Sequence, residues 1–358
     1  MCTLHAYYTI QVAYHEVGHG LRARALGYTF KLSKDIERDY SQAQSNTTQA
    51  WSKNENFFKY LGHCVRYRDS GDLLLDVVSF VYEDALVMVR PGCLPSTIGG
   101  DPKERVIFGA GGLNHDMYFA ERLCDEVHKK EEITFVEAFA LLRNYLYAKK
   151  YILGVESMRS MGYYTANDVD DPILIENGWA GMGVPAEVGK LKTTGMVALC
   201  ASGTTYYALY SLWKAFTAPG EAVRAFEIYG VRVPDIFSYI TSRGISYKGV
   251  SSYKINEQTK VLFGGEFVAY GDSAREFSIG IWQQLGEERH NVSYKGLVTV
   301  GGKGSCAEAA VKIPLLGRFF VNVGGNIYSR NSLLGERHSP NLKKEYGANA
   351  FCSVSYGY

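Results

Sequence analysis

From Ile236 onward the chain is cut into short runs by turn residues, and this patterning limits the fold more than any other feature. The runs are Ile245–Ile255, Lys260–Tyr270, Phe277–Leu285, Val292–Val300, Ala307–Leu316, Phe319–Tyr328 and Tyr346–Tyr358. Between them stand turn formers such as Gly271-Asp272-Ser273, Gly301-Gly302-Lys303-Gly304 and Ser339-Pro340-Asn341. In the last run Tyr346, Ala348, Ala350, Cys352, Val354, Tyr356 and Tyr358 share one face. Asn349, Ser353 and Ser355, with Gly347 and Gly357, supply most of the other, and Phe351 is the exception. A period of two belongs to a strand, so this region is expected to form an antiparallel sheet. An apolar outward row ending in aromatic residues also meets the needs of a membrane-barrel strand.

Composition narrows the function classes. Lys plus Arg is 38 and Asp plus Glu is 37, a net charge of +1, so nothing points to nucleic acid or to an acidic substrate. Charged residues make up only 21%, against 27 Tyr and 38 Gly, a balance that suits β-rich or membrane-interface protein. The seven cysteines, Cys2, Cys64, Cys93, Cys124, Cys200, Cys306 and Cys352, contain no C-x-x-C pair and read as buried free thiols, with one disulfide at most. No basic stretch followed by an apolar core stands at the start, so no secretory leader is expected there.

Ahead of the sheet region the periodicity is helical. Thr134 and Glu137 make a capping box, which opens a helix with Phe135, Phe139, Leu142 and Leu146 on its expected core face. Glu104–Val127 is expected to hold another, with Gly109, Gly111 and Gly112 before it and Asn114 or Asp116 near its N-terminus. Residues 34–56 read as a polar surface excursion, and Gly154–Pro185 as loop. Thr193–Trp213 carries no charge over 21 residues. That is enough to cross a hydrocarbon core, or to form a buried helix packed through small residues.

The stretch with chemistry is Val12–Leu26, which contains His15-Glu16-Val17-Gly18-His19, an H-E-x-x-H arrangement. Residues four apart on a helix share a face, so both imidazoles can turn toward one cation. Metal-assisted hydrolysis needs two neutral nitrogen ligands, an open coordination position and a carboxylate to take a proton from water, and Glu16 is that carboxylate. Gly18 and Gly20 each weaken the helix by about 1 kcal/mol relative to Ala, so something is expected to pack close to the backbone there. The competing reading is a buried helix whose histidines satisfy core hydrogen bonds. His63-Cys64 reads as structural.

Two resemblances follow from these residues. The front of the chain resembles zinc metallopeptidases of the H-E-x-x-H class. In the membrane-bound ATP-dependent zinc proteases, an Asn-Asp pair at the start of a later helix supplies an aspartate as third ligand. Asn114-His115-Asp116 holds a comparable place, although His115 is inserted and no ATPase domain is present. In other zincins the third ligand is a glutamate on a following helix, which points to Glu121. The resemblance therefore implies zinc held by His15, His19 and Asp116, with His115 and Glu121 as alternatives and helix capping as the plainer role of Asp116. The last stretch resembles the C-terminal strand of bacterial outer-membrane β-barrel proteins, with Val354, Tyr356 and Tyr358 at alternate positions.

The expectation is an α+β protein. A helical zincin-like region spans 1–190, an apolar helical connector 191–235, and an antiparallel sheet 236–358, the last a small membrane barrel of about eight strands. The expected function is zinc-dependent peptide-bond hydrolysis in the cell envelope or outer membrane of a Gram-negative bacterium. Its partners would be a peptide or protein substrate, a lipid bilayer and an envelope protein complex, with no nucleic acid. The alternative is a non-enzymatic outer-membrane barrel or assembly subunit with a structural or degenerate metal helix.

Overall fold

The structure is a computed structural model. It describes His15, Gly18, His19, Arg22 and residues 30–33, 86–89, 101–160, 171–218, 223–225, 227–286, 292–315, 319–338 and 346–356. In chain order the elements are β1 (Phe30–Ser33), β2 (Leu86–Val89), α1 (Pro102–Gly109), α2 (Gly111–Lys130), β3 (Glu132–Ile133), α3 (Phe135–Ser160), α4 (Asp171–Met182), α5 (Leu191–Ala201) and α6 (Gly203–Thr217). There follow β4 (Val223–Arg224), β5 (Glu227–Ile228), β6 (Val231–Arg232), β7 (Asp235–Thr241), β8 (Gly244–Asn256), β9 (Thr259–Gly271), β10 (Arg275–Leu285), β11 (Val292–Gly301), β12 (Ser305–Pro314), β13 (Phe319–Ser329), α7 (Leu333–His338) and β14 (Tyr346–Tyr356).

The α+β class and the antiparallel sheet expected from the sequence are present. From β7 to β14 each strand pairs antiparallel with the next, and the short strands β5 and β6 extend the β8 edge to give ten strands in all. All seven runs coincide with strands, and the additional long strand, β7, lies just upstream of them. Among the described residues β14 pairs only with β13, so the sheet is open and the expected barrel closure is not seen. At the turn end of β8, Gly244 and Gly271 face each other with φ of 126° and 132°. A Cβ on either would lie 2.0 Å from a backbone oxygen of the opposite turn, so only glycine fits.

The two faces of the sheet carry the reverse of the usual polarity. Register places Phe277 beside Val300, and Ile279 beside Val298, on the outward face. Phe277 is 69% exposed, and Phe263, Ile279, Val298 and Ile327 are exposed with it. The opposite face carries Lys248, Lys260 and Lys295, which are drawn against α2, and Glu266 and Glu276, which meet Arg337 and the Leu333 N–H of α7. Twenty residues give α2 a length of about 30 Å, and it runs along this polar face. Glu121 meets Lys248 at 2.6 Å, Asp125 meets Lys295 at 3.7 Å, Glu126 meets Lys312 at 3.9 Å, and the His128 carbonyl accepts from Lys260 at 3.1 Å.

The other side of α2 is apolar. Met117, Ala120, Cys124 and Val127 pack with Leu141 and Tyr145 of α3 and Phe237 of β7. A second cluster joins Val106, Leu113, Ile175 and Trp179 to Ile240 and Ile245. Thr134 and Glu137 form the expected capping box, with Thr134 N donating to Glu137 Oε2 at 3.0 Å. The face of α3 differs from expectation: Phe135 and Leu146 are exposed, while Ala138, Leu141 and Tyr145 are fully buried. Two further expectations are corrected. Asp171–Met182 is helix rather than loop, because Asp171-Pro172 is a helix start: proline's missing N–H costs nothing in a first turn. The uncharged stretch around Thr193–Trp213 is not one span, since Ser202 is extended (φ −84°, ψ 129°) and separates α5 from α6. Among the described residues no helix is long and apolar enough to cross a membrane. Cys124, Cys200 and Cys306 are free thiols; the first and last are buried, and Cys200 is exposed.

Candidate metal centre

The site forms where the helical residues His15, Gly18, His19 and Arg22 cross the N-terminus of α2. The approach is backbone to backbone. A Cβ on Gly18 would lie 2.5 Å from the Gly111 carbonyl oxygen, and one on Gly112 would lie 2.3 Å from His15 Nε2. The close packing expected at Gly18 is therefore present; Gly20 lies outside the described residues.

Both imidazoles are buried and held by their outer nitrogens. His15 Nδ1 lies 2.7 Å from Asp116 Oδ2, and His19 Nδ1 lies 2.9 Å from the Phe108 carbonyl oxygen. A carbonyl only accepts, so His19 carries its proton on Nδ1; a carboxylate imposes the same on His15. Each Nε2 then turns a lone pair inward. The two Nε2 atoms stand 3.3 Å apart. Asp171 Oδ2 closes the triangle at 3.0 Å from His19 Nε2 and 3.6 Å from His15 Nε2. Three lone-pair atoms this close repel one another unless a positive charge lies among them. Zinc bonds of about 2.0–2.1 Å at the tetrahedral angle give ligand–ligand edges of about 3.3 Å, so donor types and spacings both fit that ion.

Asp171 is placed by the first turn of α4, and Tyr151 of α3 donates to its Oδ2 at 3.1 Å. Burial pushes its carboxyl up, but positive charge and hydrogen-bond donation at the facing His19 and His15 outweigh this and hold it well below the usual carboxylate range; with both imidazoles neutral, a cation between them takes that role. Tyr147 and Tyr151 stack 6.2 Å apart and cover one side of His15, with centroids 5.1 and 5.6 Å away.

The sequence-predicted residues fall as follows. His15 and His19 converge. Asp116, expected as the third ligand, sits at the far nitrogen of His15 and outside the convergent set; an oxygen engaged at Nδ1 faces away from Nε2. His115 is adjacent; its imidazole is pushed down to about 3 by burial, then by Arg22 and the two site histidines. Glu121 is spent on Lys248 and on the Tyr239 hydroxyl at the sheet. Glu16, Tyr14 and His63-Cys64 lie outside the described residues, and Tyr118 lies against Arg122. Asp171 was missed by sequence reasoning, and the available signal was the Asp-Pro helix start.

No family model, curated protein or solved structure matches this chain.

Proposed function

We propose that the chain is a zinc-dependent hydrolase of peptide bonds, with His15, His19 and Asp171 holding the metal. The observation that carries this reading is the meeting of three lone-pair donors, two on buried histidines and one on the half-buried Asp171, at tetrahedral edge lengths. Zinc bound there supplies Lewis acidity and lowers the pKa of a water toward about 7. Asp116 fixes the tautomer and ring plane of His15, and the Phe108 carbonyl does the same for His19. Glu16, next to His15 in the chain, takes the proton of the attacking water and returns it to the leaving amine. The buried setting keeps bulk water from competing for the ligands. The peptide as substrate rests on the H-E-x-x-H resemblance.

A second reading concerns the sheet. Its outward apolar rows and inward charges support placement of the β-region in a lipid bilayer of a bacterial envelope, as an outer-membrane-type sheet. On this reading alone the protein is a barrel or assembly subunit and its metal helix is structural.

Glu16→Gln separates the two. The hydrolase reading expects retained fold and zinc, with cleavage of casein or of the chain itself lost by at least about 100-fold, as for a general base. Unchanged cleavage in Glu16→Gln, or none in the zinc-loaded wild type, would remove it.

A further inference from the structure

The helical layer repeats the reversed polarity of the sheet, most sharply in α6. Its buried positions are Gly203, Thr204, Thr205, Ala208 and Ser211, with Tyr207 the one large ring among them. Its exposed positions are Tyr206, Leu209, Tyr210, Trp213 and Phe216, the last 83% exposed. The spacing is that of one helical face. The orientation is fixed rather than incidental. Thr204 donates through both N and Oγ1 to the buried Asp235 carboxylate at 2.8 Å, so the helix cannot roll its rings inward.

We propose that α6 is a membrane-interface anchor whose aromatic stripe lies in the headgroup–acyl boundary of a bilayer. Three observations select this occupant. Tyr and Trp have apolar bodies and polar tips, which favours that boundary over either phase beside it. The helix holds no acidic residue and one cation, Lys214, whose Nζ lies 5.9 Å from the Tyr210 ring, a charge suited to anionic headgroups. Fifteen residues make about 22 Å of helix, short of the roughly 30 Å needed to cross, so the helix lies along the surface. The inference goes beyond the hydrolase reading and needs no metal.

The test is depth-dependent quenching of Trp213. The full chain is reconstituted in phosphatidylcholine–phosphatidylglycerol vesicles with bromine either near the headgroup or near the chain end. The Trp213 signal is the difference between wild type and Trp213→Phe. A second probe, Phe277→Trp in the Trp213→Phe background, reports the outward face of the sheet. The proposal expects Trp213 emission to fall by about half or more with shallow bromine and by less with deep bromine. An unquenched Trp213 overturns it, and if the Phe277→Trp probe is then quenched, the lipid reading of the sheet survives alone. A quenched Trp213 beside an unquenched Phe277→Trp probe supports the anchor and removes the sheet reading. A Trp213 blue shift that grows with protein concentration, without lipid quenching, overturns the proposal in favour of a second copy.

Discussion

The two sides of α2 are held by opposite chemistries. Toward α3 and β7 it packs through Met117, Ala120, Cys124 and Val127, an ordinary apolar core. Toward β8–β12 it packs through Glu121, Asp125 and Glu126 against lysines, while the sheet turns its apolar residues away. One helix therefore joins a region that hides its hydrophobic surface to one that displays it. The difference teaches that burial here does not rank residues by polarity. The sheet is ordered for an apolar exterior, and the metal centre is anchored at the end where both packings begin.

The comparison can be broken first on its apolar side. Trp179 is fully buried and its indole donates to the Thr241 carbonyl at 2.9 Å. Trp179→Ala should cost about 4 kcal/mol in denaturant unfolding, since it leaves a large cavity and an unpaired carbonyl. A loss under about 1 kcal/mol would show that this cluster is not a packed core. On the ionic side, Lys248→Met strands the buried Glu121 and should cost about 3 kcal/mol, whereas Lys248→Met with Glu121→Gln should recover most of it. Equal losses in the single and double variants would mean that the charges are not coupled.

At the metal centre, Asp116→Asn keeps the shape of the side chain but frees the His15 tautomer, and should weaken zinc binding about 10–100-fold without abolishing it. An unchanged affinity would reduce Asp116 to packing. A smaller effect comes from Glu276, whose carboxyl is pushed up to about 7 by burial, opposed by the Leu333 N–H and by Arg337 and reinforced by Glu266 and Glu336. Folding then favours the protonated form. That contribution is complete below the ordinary value of 4.5 and is lost as pH rises through 7. Wild type should lose on the order of 1 kcal/mol between pH 5 and 8, after allowance for solvent screening, and Glu276→Gln should show a flatter profile. A slope that persists in the variant would assign it elsewhere. The smallest expected change is Thr134→Ala, which removes the exposed capping box of α3 for about 0.5 kcal/mol, read from the unfolding midpoint.

What the sequence revealed follows from how local each signal is. The strands β8–β14 were legible because Gly, Asp, Ser and Pro punctuate them and a period of two runs between. Thr134 with Glu137, and the helical spacing of His15 and His19, were legible for the same reason. Asp171 was not, because only tertiary packing brings the first turn of α4 to a helix more than 150 residues earlier, as the facing His19 and Asp171 show. The buried face of α3 was not legible because large apolar residues do not mark it; Phe135 and Leu146 point out, as Phe277 and Trp213 do, while Ala138 and Leu141 point in. The strands β3 to β6 have two residues each, too few to carry a period.

The central claim is that His15, His19 and Asp171 form a cation site, and zinc content by elemental analysis tests it most directly. After equilibration with zinc and removal of the excess, wild type should hold about one zinc per chain, and Asp171→Ala, with its tetrahedral ligand set broken, much less than half. A metal-free wild type, or an Asp171→Ala variant as fully loaded as its parent, would contradict the account.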